Sequence, residues 1–205
     1  MILKALVVGM LGTNCYIIGC EKTGIGAVVD PGAESERVLD ELKKLNLNCR
    51  YIILTHGHMD HIGDVGEVRA ATGALVLIHA ADAGRLVNPG RFSALPVGEI
   101  KPGNADRTLQ HGDEIEVGTI KIKVIHTPGH TPGGICLDIG NILITGDTLF
   151  AESIGRTDFP GGSYTDLINS IKERLLVFPD ETGVYPGHGP SSTIGNERRF
   201  NPFLQ

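Results

Sequence analysis

Thr55-His56-Gly57-His58-Met59-Asp60-His61 places four metal-ligand side chains within six residues, directly after the apolar run Tyr51–Leu54. In extended backbone, residues two apart point to one side, so His56 and His58 share a face. Gly57 lets the chain bend until both imidazoles converge. Asp60 and His61 follow where a helix begins and can face the same space. Three imidazoles this close repel one another when protonated and gain little from packing. The pattern therefore reads as a metal cluster rather than a polar loop with satisfied histidines.

Three later positions resemble the first in setting. His130 lies in Thr127-Pro128-Gly129-His130-Thr131-Pro132-Gly133-Gly134 after the strand-like run Ile120–Ile125. Asp147 lies in Thr145-Gly146-Asp147-Thr148 after Ile142–Ile144, and His188 in Pro186-Gly187-His188-Gly189-Pro190 after Val184-Tyr185. Each is a ligand-type side chain in a glycine-rich loop at a strand end, where a rigid sheet edge can aim it. Pro128 argues against a helical pair between His126 and His130, so His126 reads as a strand-end residue or a support to the ligands. His79 and His111 have no ligand neighbours and read as structural or surface residues.

The chain has 205 residues, against a prior of roughly 100–200 per domain. We expect one domain over residues 1–205. Apolar residues make up 41% and charged ones 20%, which excludes a disordered chain. A net charge of −6 argues against a generic nucleic-acid binder, whose affinity needs clustered Lys and Arg. No apolar run approaches the 18 or so residues of a membrane span, so no membrane partner is expected. MILKALVVGM is faintly signal-like, but Gly12-Thr13-Asn14 breaks the run as a turn between two strands. Cys15, Cys20, Cys49 and Cys136 form no CxxC and no disulfide pattern; reduced thiols in a cytoplasmic protein are expected.

Strands are expected at Leu3–Val8, Cys15–Ile18, Gly26–Val29, Tyr51–Leu54 and Leu75–Ile78. More follow at Glu114–Val117, Ile120–Ile125, Ile135–Ile139, Ile142–Thr145 and Gly183–Tyr185. Asp30-Pro31-Gly32 reads as a turn. Ser35 is placed to cap a helix carrying Val38, Leu39, Leu42 and Leu45 on one face. A second helix is expected from Asp60 to about Ala71, a third through Leu167, Ile168, Ile171 and Leu175, and a last over Thr193–Phe200. Residues 88–106 read as a long loop of the kind that is often functional. The order suggests two packed sheets with helices outside.

HxHxDH followed by a single His, a single Asp and a last His resembles the metallo-β-lactamase-fold superfamily, and within it the glyoxalase II group. The resemblance runs from Asp30 to Asn201-Pro202-Phe203-Leu204. It implies an α/β fold, a four-layer αββα sandwich with the site at one edge. It further implies that His56, His58 and His130 hold one divalent metal, that Asp60, His61 and His188 hold a second, and that Asp147 bridges them. Imidazole and carboxylate ligands suit zinc foremost, with iron or manganese also suited. Asp60 and Asp147 are then the catalytic carboxylates, and Asp147 favours the glyoxalase-like branch.

Coordination lowers the pKa of water from roughly 15.7 toward about 7, so such a site can hold a bridging hydroxide at neutral pH as the nucleophile. A thiol pKa of about 8.5 makes thiolate a good leaving group, and a thioester needs no strong acid. Glu152-Ser153-Ile154-Gly155 lacks the first glycine of a serine-nucleophile elbow. The expected substrate is a small thioester linked to glutathione.

Gly155-Arg156-Thr157-Asp158-Phe159-Pro160-Gly161-Gly162 resembles the loop that meets glutathione carboxylates, with Arg156 as a bidentate contact. Local pairing of Arg156 is the other use open to it. The chain departs from the long glyoxalase II pattern at Asp158 and Pro190, where tyrosines stand, and resembles the short bacterial form. Arg198 and Arg199 read as solvated surface, with an anionic substrate as their other use. An iron-dependent persulfide dioxygenase, using His56, His130 and Asp147 on one iron, is the main alternative, and a lactonase the next.

Overall fold

The computed structural model describes residues 1–88 and 102–205. Six strands lie side by side in chain order: β1 (Ile2–Val8), β2 (Thr13–Cys20), β3 (Ile25–Val29), β4 (Asn48–Ile53), β5 (Leu75–His79) and β6 (Arg107–Leu109). The first three are antiparallel and β3 to β6 run parallel. The second sheet holds β7 (Glu114–Val117), β8 (Ile120–His126), β9 (Ile135–Asp138), β10 (Ile142–Gly146), β13 (Gly183–Pro186) and β14 (Ser192–Thr193). Its order is β14-β13-β10-β9-β8-β7. Between β10 and β13, β11 (Leu149–Phe150) and β12 (Ser153–Ile154) form a small hairpin.

Burial on both faces explains why several strands read as unbroken apolar runs. In β2 every residue is buried. Cys15 and Ile17 enter one core while Tyr16 and Ile18 enter another. The same alternation sends Val76 and Ile78 of β5 outward and Leu77 inward. The inward residues meet Ile122, Val124, Leu137 and Ile144 of the second sheet. The outer face of the first sheet packs on α1 (Ser35–Lys44), α2 (Met59–Ile62), α3 (Val65–Thr72) and α4 (Ala83–Val87) through Val38, Leu42, Ile62, Val68 and Leu86. The second sheet packs on α5 (Tyr164–Ser170), the wider turn Ile171–Leu175 that extends it, and α6 (Ile194–Phe200) through Leu167, Ile171, Leu175 and Ile194. Three cores between four layers make the αββα sandwich.

Several local expectations need correction. Ser35 does not cap α1. Glu34 occupies the cap position in left-handed backbone, and the Ser35 N–H donates to Asp64 Oδ2 at 2.7 Å. The helix expected from Asp60 breaks into α2 and α3. Asp64 leaves helical backbone because its N–H bonds to Pro31 O while its carboxylate serves α1. Thr13 and Asn14 open β2 rather than forming a turn. Thr193 caps α6 as its boundary residue, accepting from Asn196 N–H. The short strand β6 was not foreseen. Of the loop expected over 88–106, residues 89–101 lie outside the described residues. All four cysteines are free and buried. Among the described residues no helix is long and apolar enough to cross a membrane.

Candidate metal centre

All seven ligand-type side chains converge at one edge of the sandwich. The first sheet supplies His56 and His58 from the loop after β4, and Asp60 and His61 from α2. The second supplies His130 from the β8–β9 loop, Asp147 from the end of β10 and His188 after β13. The last loop is held in place by the first hairpin. Asn14 N–H donates to Gly187 O at 2.7 Å, and Asn14 Nδ2 donates to Pro186 O and Gly189 O at 2.9 Å each. Tyr16 Oη donates to Pro186 O at 2.7 Å.

Two triads result. His56 Nε2, His58 Nδ1 and His130 Nε2 lie 3.1, 3.3 and 2.9 Å from one another. Asp60 Oδ2, His61 Nε2 and His188 Nε2 lie 3.4, 3.3 and 3.1 Å apart. A tetrahedral ion with bonds of about 2.0–2.1 Å needs ligand-to-ligand edges of about 3.3–3.4 Å, close to both triads. Asp147 touches both: Oδ1 is 3.4 Å from His61 Nε2, and Oδ2 is 3.5 Å from His130 Nε2 and 3.6 Å from His188 Nε2. The donor set fits two divalent cations sharing a carboxylate, and Asp147 Oδ1 is buried with no hydrogen-bond partner in the protein.

The nitrogens facing away from the triads are mostly anchored. His56 Nδ1 donates to Thr55 Oγ1 at 3.1 Å, and that hydroxyl donates onward to Asp30 Oδ2. His61 Nδ1 donates to Asp30 Oδ2 at 2.9 Å, His130 Nδ1 to Arg156 O at 2.8 Å, and His188 Nδ1 to Leu11 O at 3.2 Å. Such partners fix the ring and its tautomer. His58 Nε2 alone has none and is buried, with the Phe159 ring set edge-on to the imidazole at 5.8 Å. Asp30 also lies within reach of His56 and His61. Both its oxygens are already taken by Thr55 and His61, so it supports the ligands rather than joining them.

The two triads differ in proton affinity. Burial, with neighbouring His61 and His58, holds His56 well below the usual imidazole range. Burial, with His130 and Arg85, pushes His58 down to about 3. His130 is lowered by burial against the pull of Asp147. In the second triad burial acts in the opposite sense to the net shift. The Asp147 and Asp30 carboxylates hold His61 well above the usual range, and Asp60 raises His188. Asp60 and Asp147 are both lowered against burial, Asp60 by His188 and Asp147 by His61.

The side chains of Asp60 and His188 are 23% and 28% exposed, whereas those of His61 and His130 are 0% and 5%, so the centre opens on the Asp60–His188 side. Phe150 borders His188 there. Arg156 sits nearby but spends its guanidinium on Asp158, with Nε to Oδ1 and Nη2 to Oδ2 both at 2.8 Å. It also stacks over Phe159 at 3.6 Å. Arg198 and Arg199 hold Asp180. His79 and His126 stack on one another at 4.0 Å, away from the ligands, and His111 Nδ1 accepts from the His126 N–H. Sequence reasoning missed Asp30, Thr55 and Asn14 as supports: Asp30 and Asn14 act on residues far along the chain, and Thr55, though adjacent to His56, is itself held by the distant Asp30.

Residues 8–188 match the family model described as the Metallo-beta-lactamase superfamily. A curated relative from Haemophilus influenzae, hydroxyacylglutathione hydrolase GloC, is 36% identical over 93% of this chain and 92% of its own length. Three solved structures superpose over nearly the whole chain. The BLEG-1 B3 metallo-beta-lactamase is 36% identical, with a TM-score of 0.92 and both chains fully covered. ETHE1 from Myxococcus xanthus is 33% identical, with a TM-score of 0.84, covering 98% of this chain and 84% of that one. TTHA1623 in a di-iron-bound form is 36% identical, with a TM-score of 0.83, covering 98% and 100%.

Proposed function

This chain belongs to the metallo-beta-lactamase superfamily, and we propose that it is a dinuclear metal-dependent hydrolase of small thioesters, of the hydroxyacylglutathione hydrolase type. The observation that carries the proposal is the pair of triads joined through Asp147, a geometry made for two cations. The likeness to GloC supports a hydroxyacyl thioester as substrate. Zinc is our first choice of metal; the di-iron form of TTHA1623 keeps iron in contention.

When bound, two divalent cations polarise an acyl carbonyl and bring the pKa of water toward about 7. The chain's own residues do the rest. His56, His58 and His130 present neutral nitrogens, while Asp60, Asp147, His61 and His188 close the second side. Asp147, with Oδ1 beside His61 and Oδ2 beside His130 and His188, is the carboxylate placed between the two triads. Phe150 borders the open side at His188, and Phe159 backs His58. The leaving thiolate, with a thiol pKa of about 8.5, departs without a protein acid.

Metal analysis alongside a panel of thioesters, a lactone and glutathione persulfide, with and without oxygen, tests the proposal. Two metals per chain and anaerobic thioester cleavage are expected. One iron per chain with oxygen uptake on persulfide would overturn it in favour of a dioxygenase. Preferred lactone cleavage would move it to a lactonase. Asp147→Ala should abolish turnover while the fold persists by circular dichroism.

A further inference from the structure

Asp82 contacts none of the ligands, yet it touches both loops that carry the first triad. It ends the tight turn Ala80–Asp82 after β5 and is fully buried. Its Oδ2 accepts from Gly57 N–H at 2.9 Å, between His56 and His58. Its Oδ1 accepts from Gly133 N–H at 2.9 Å, three residues beyond His130. One carboxylate thus ties a loop of the first sheet to a loop of the second. Arg85, itself buried, places Nε 3.4 Å from Asp82 Oδ1 and donates from Nη2 to Pro160 O at 3.2 Å, reaching the segment that carries Arg156 and Phe159.

The packing leaves no slack. A Cβ on Gly57 would lie 2.6 Å from Arg85 Cδ, and one on Gly133 would lie 2.7 Å from Asp82 Cβ and Cγ. Both loops therefore rest directly on this pair. A buried carboxylate is costly unless fully bonded, and here two N–H groups and a guanidinium balance it. Among the described residues no member of the second triad donates a hydrogen bond to Asp82.

We propose that Asp82 is a positioning residue that sets the spacing of His56 and His58 against His130, and so tunes the affinity of the first triad for its cation separately from the second. It rests on the two-metal reading and not on the identity of the substrate. The probe is cobalt(II) alone, added to metal-free protein against a competing chelator and followed by visible absorption. The wild type should show two binding constants. Asp82→Asn keeps the side-chain shape but turns one acceptor into a donor facing a backbone N–H. It should weaken one constant about 10- to 100-fold, change the corresponding absorption band and leave the other constant unchanged. Should that variant not fold, Gly133→Ala, which pushes the His130 loop without altering charge, carries the same expectation. Unchanged constants, whether or not the metal-free protein melts lower, would overturn the proposal in favour of a purely structural role. Equal weakening of both constants would also overturn it. A wild type that binds fewer than two cobalt ions would instead sink the two-metal reading itself.

Discussion

Arg156 and Asp158 illustrate how one neighbour decides what a side chain is available for. A guanidinium fork is well matched to a carboxylate, and here both prongs already hold Asp158. A carboxylate on an incoming thiol carrier must displace this exposed pair. Asp158→Ala should lower KM about three- to tenfold for a carboxylate-bearing thioester such as a glutathione ester, leaving kcat and the KM of an uncharged thioester unchanged. An equal fall for both substrates, measured by steady-state kinetics, would refute this account of Arg156. Proton competition separates the two triads at the same scale. His61 and His188 are raised, so protons contend with metal there at higher pH than at the first triad. His56, His58 and His130 are lowered and stay neutral into stronger acid. Metal content of dialysed protein should therefore step from two to one, and only in stronger acid to none, as pH is lowered. A single concerted loss would contradict the assignment.

At the scale of elements, what could be read ahead of the coordinates was whatever is local. HxHxDH is one short stretch, and strands buried on both faces announce themselves as apolar runs. His130, Asp147 and His188 stood out because glycine-rich loops follow recognisable strands. Asp30 and Asp82 did not, since their roles lie in hydrogen bonds to residues about 25 or more positions away. Asp30-Pro31-Gly32 read as a turn, and nothing nearby marked its carboxylate as the anchor of His61. The broken helix was equally hidden: Asp64 ends one helix in order to serve another, across 29 residues. Asp64→Ala should cost about 1 kcal/mol, a loss typical of a helix cap, and lower Tm by about 2–4 °C with both metals retained. Calorimetry with metal analysis checks this; loss of metal would mean that the break orients Asp60 and His61 more tightly than the hydrogen bonds suggest.

Across the whole molecule, the ligands are divided between two sheets that meet through an apolar core. Binding that favours the folded state adds about 2.7 kcal/mol for each ion at a free concentration of about 100 times Kd. For a chain of this size two ions are worth about 10–20 °C in Tm. Thorough chelation should produce that fall in differential scanning calorimetry, and re-addition of metal should reverse it. An unchanged Tm would mean that the halves hold together without help from the cations. Because each cation rivets one half to the other, its supply governs more than turnover. Metal-free protein should therefore be cut by added protease faster than the metal-loaded protein, since proteases act on opened chains.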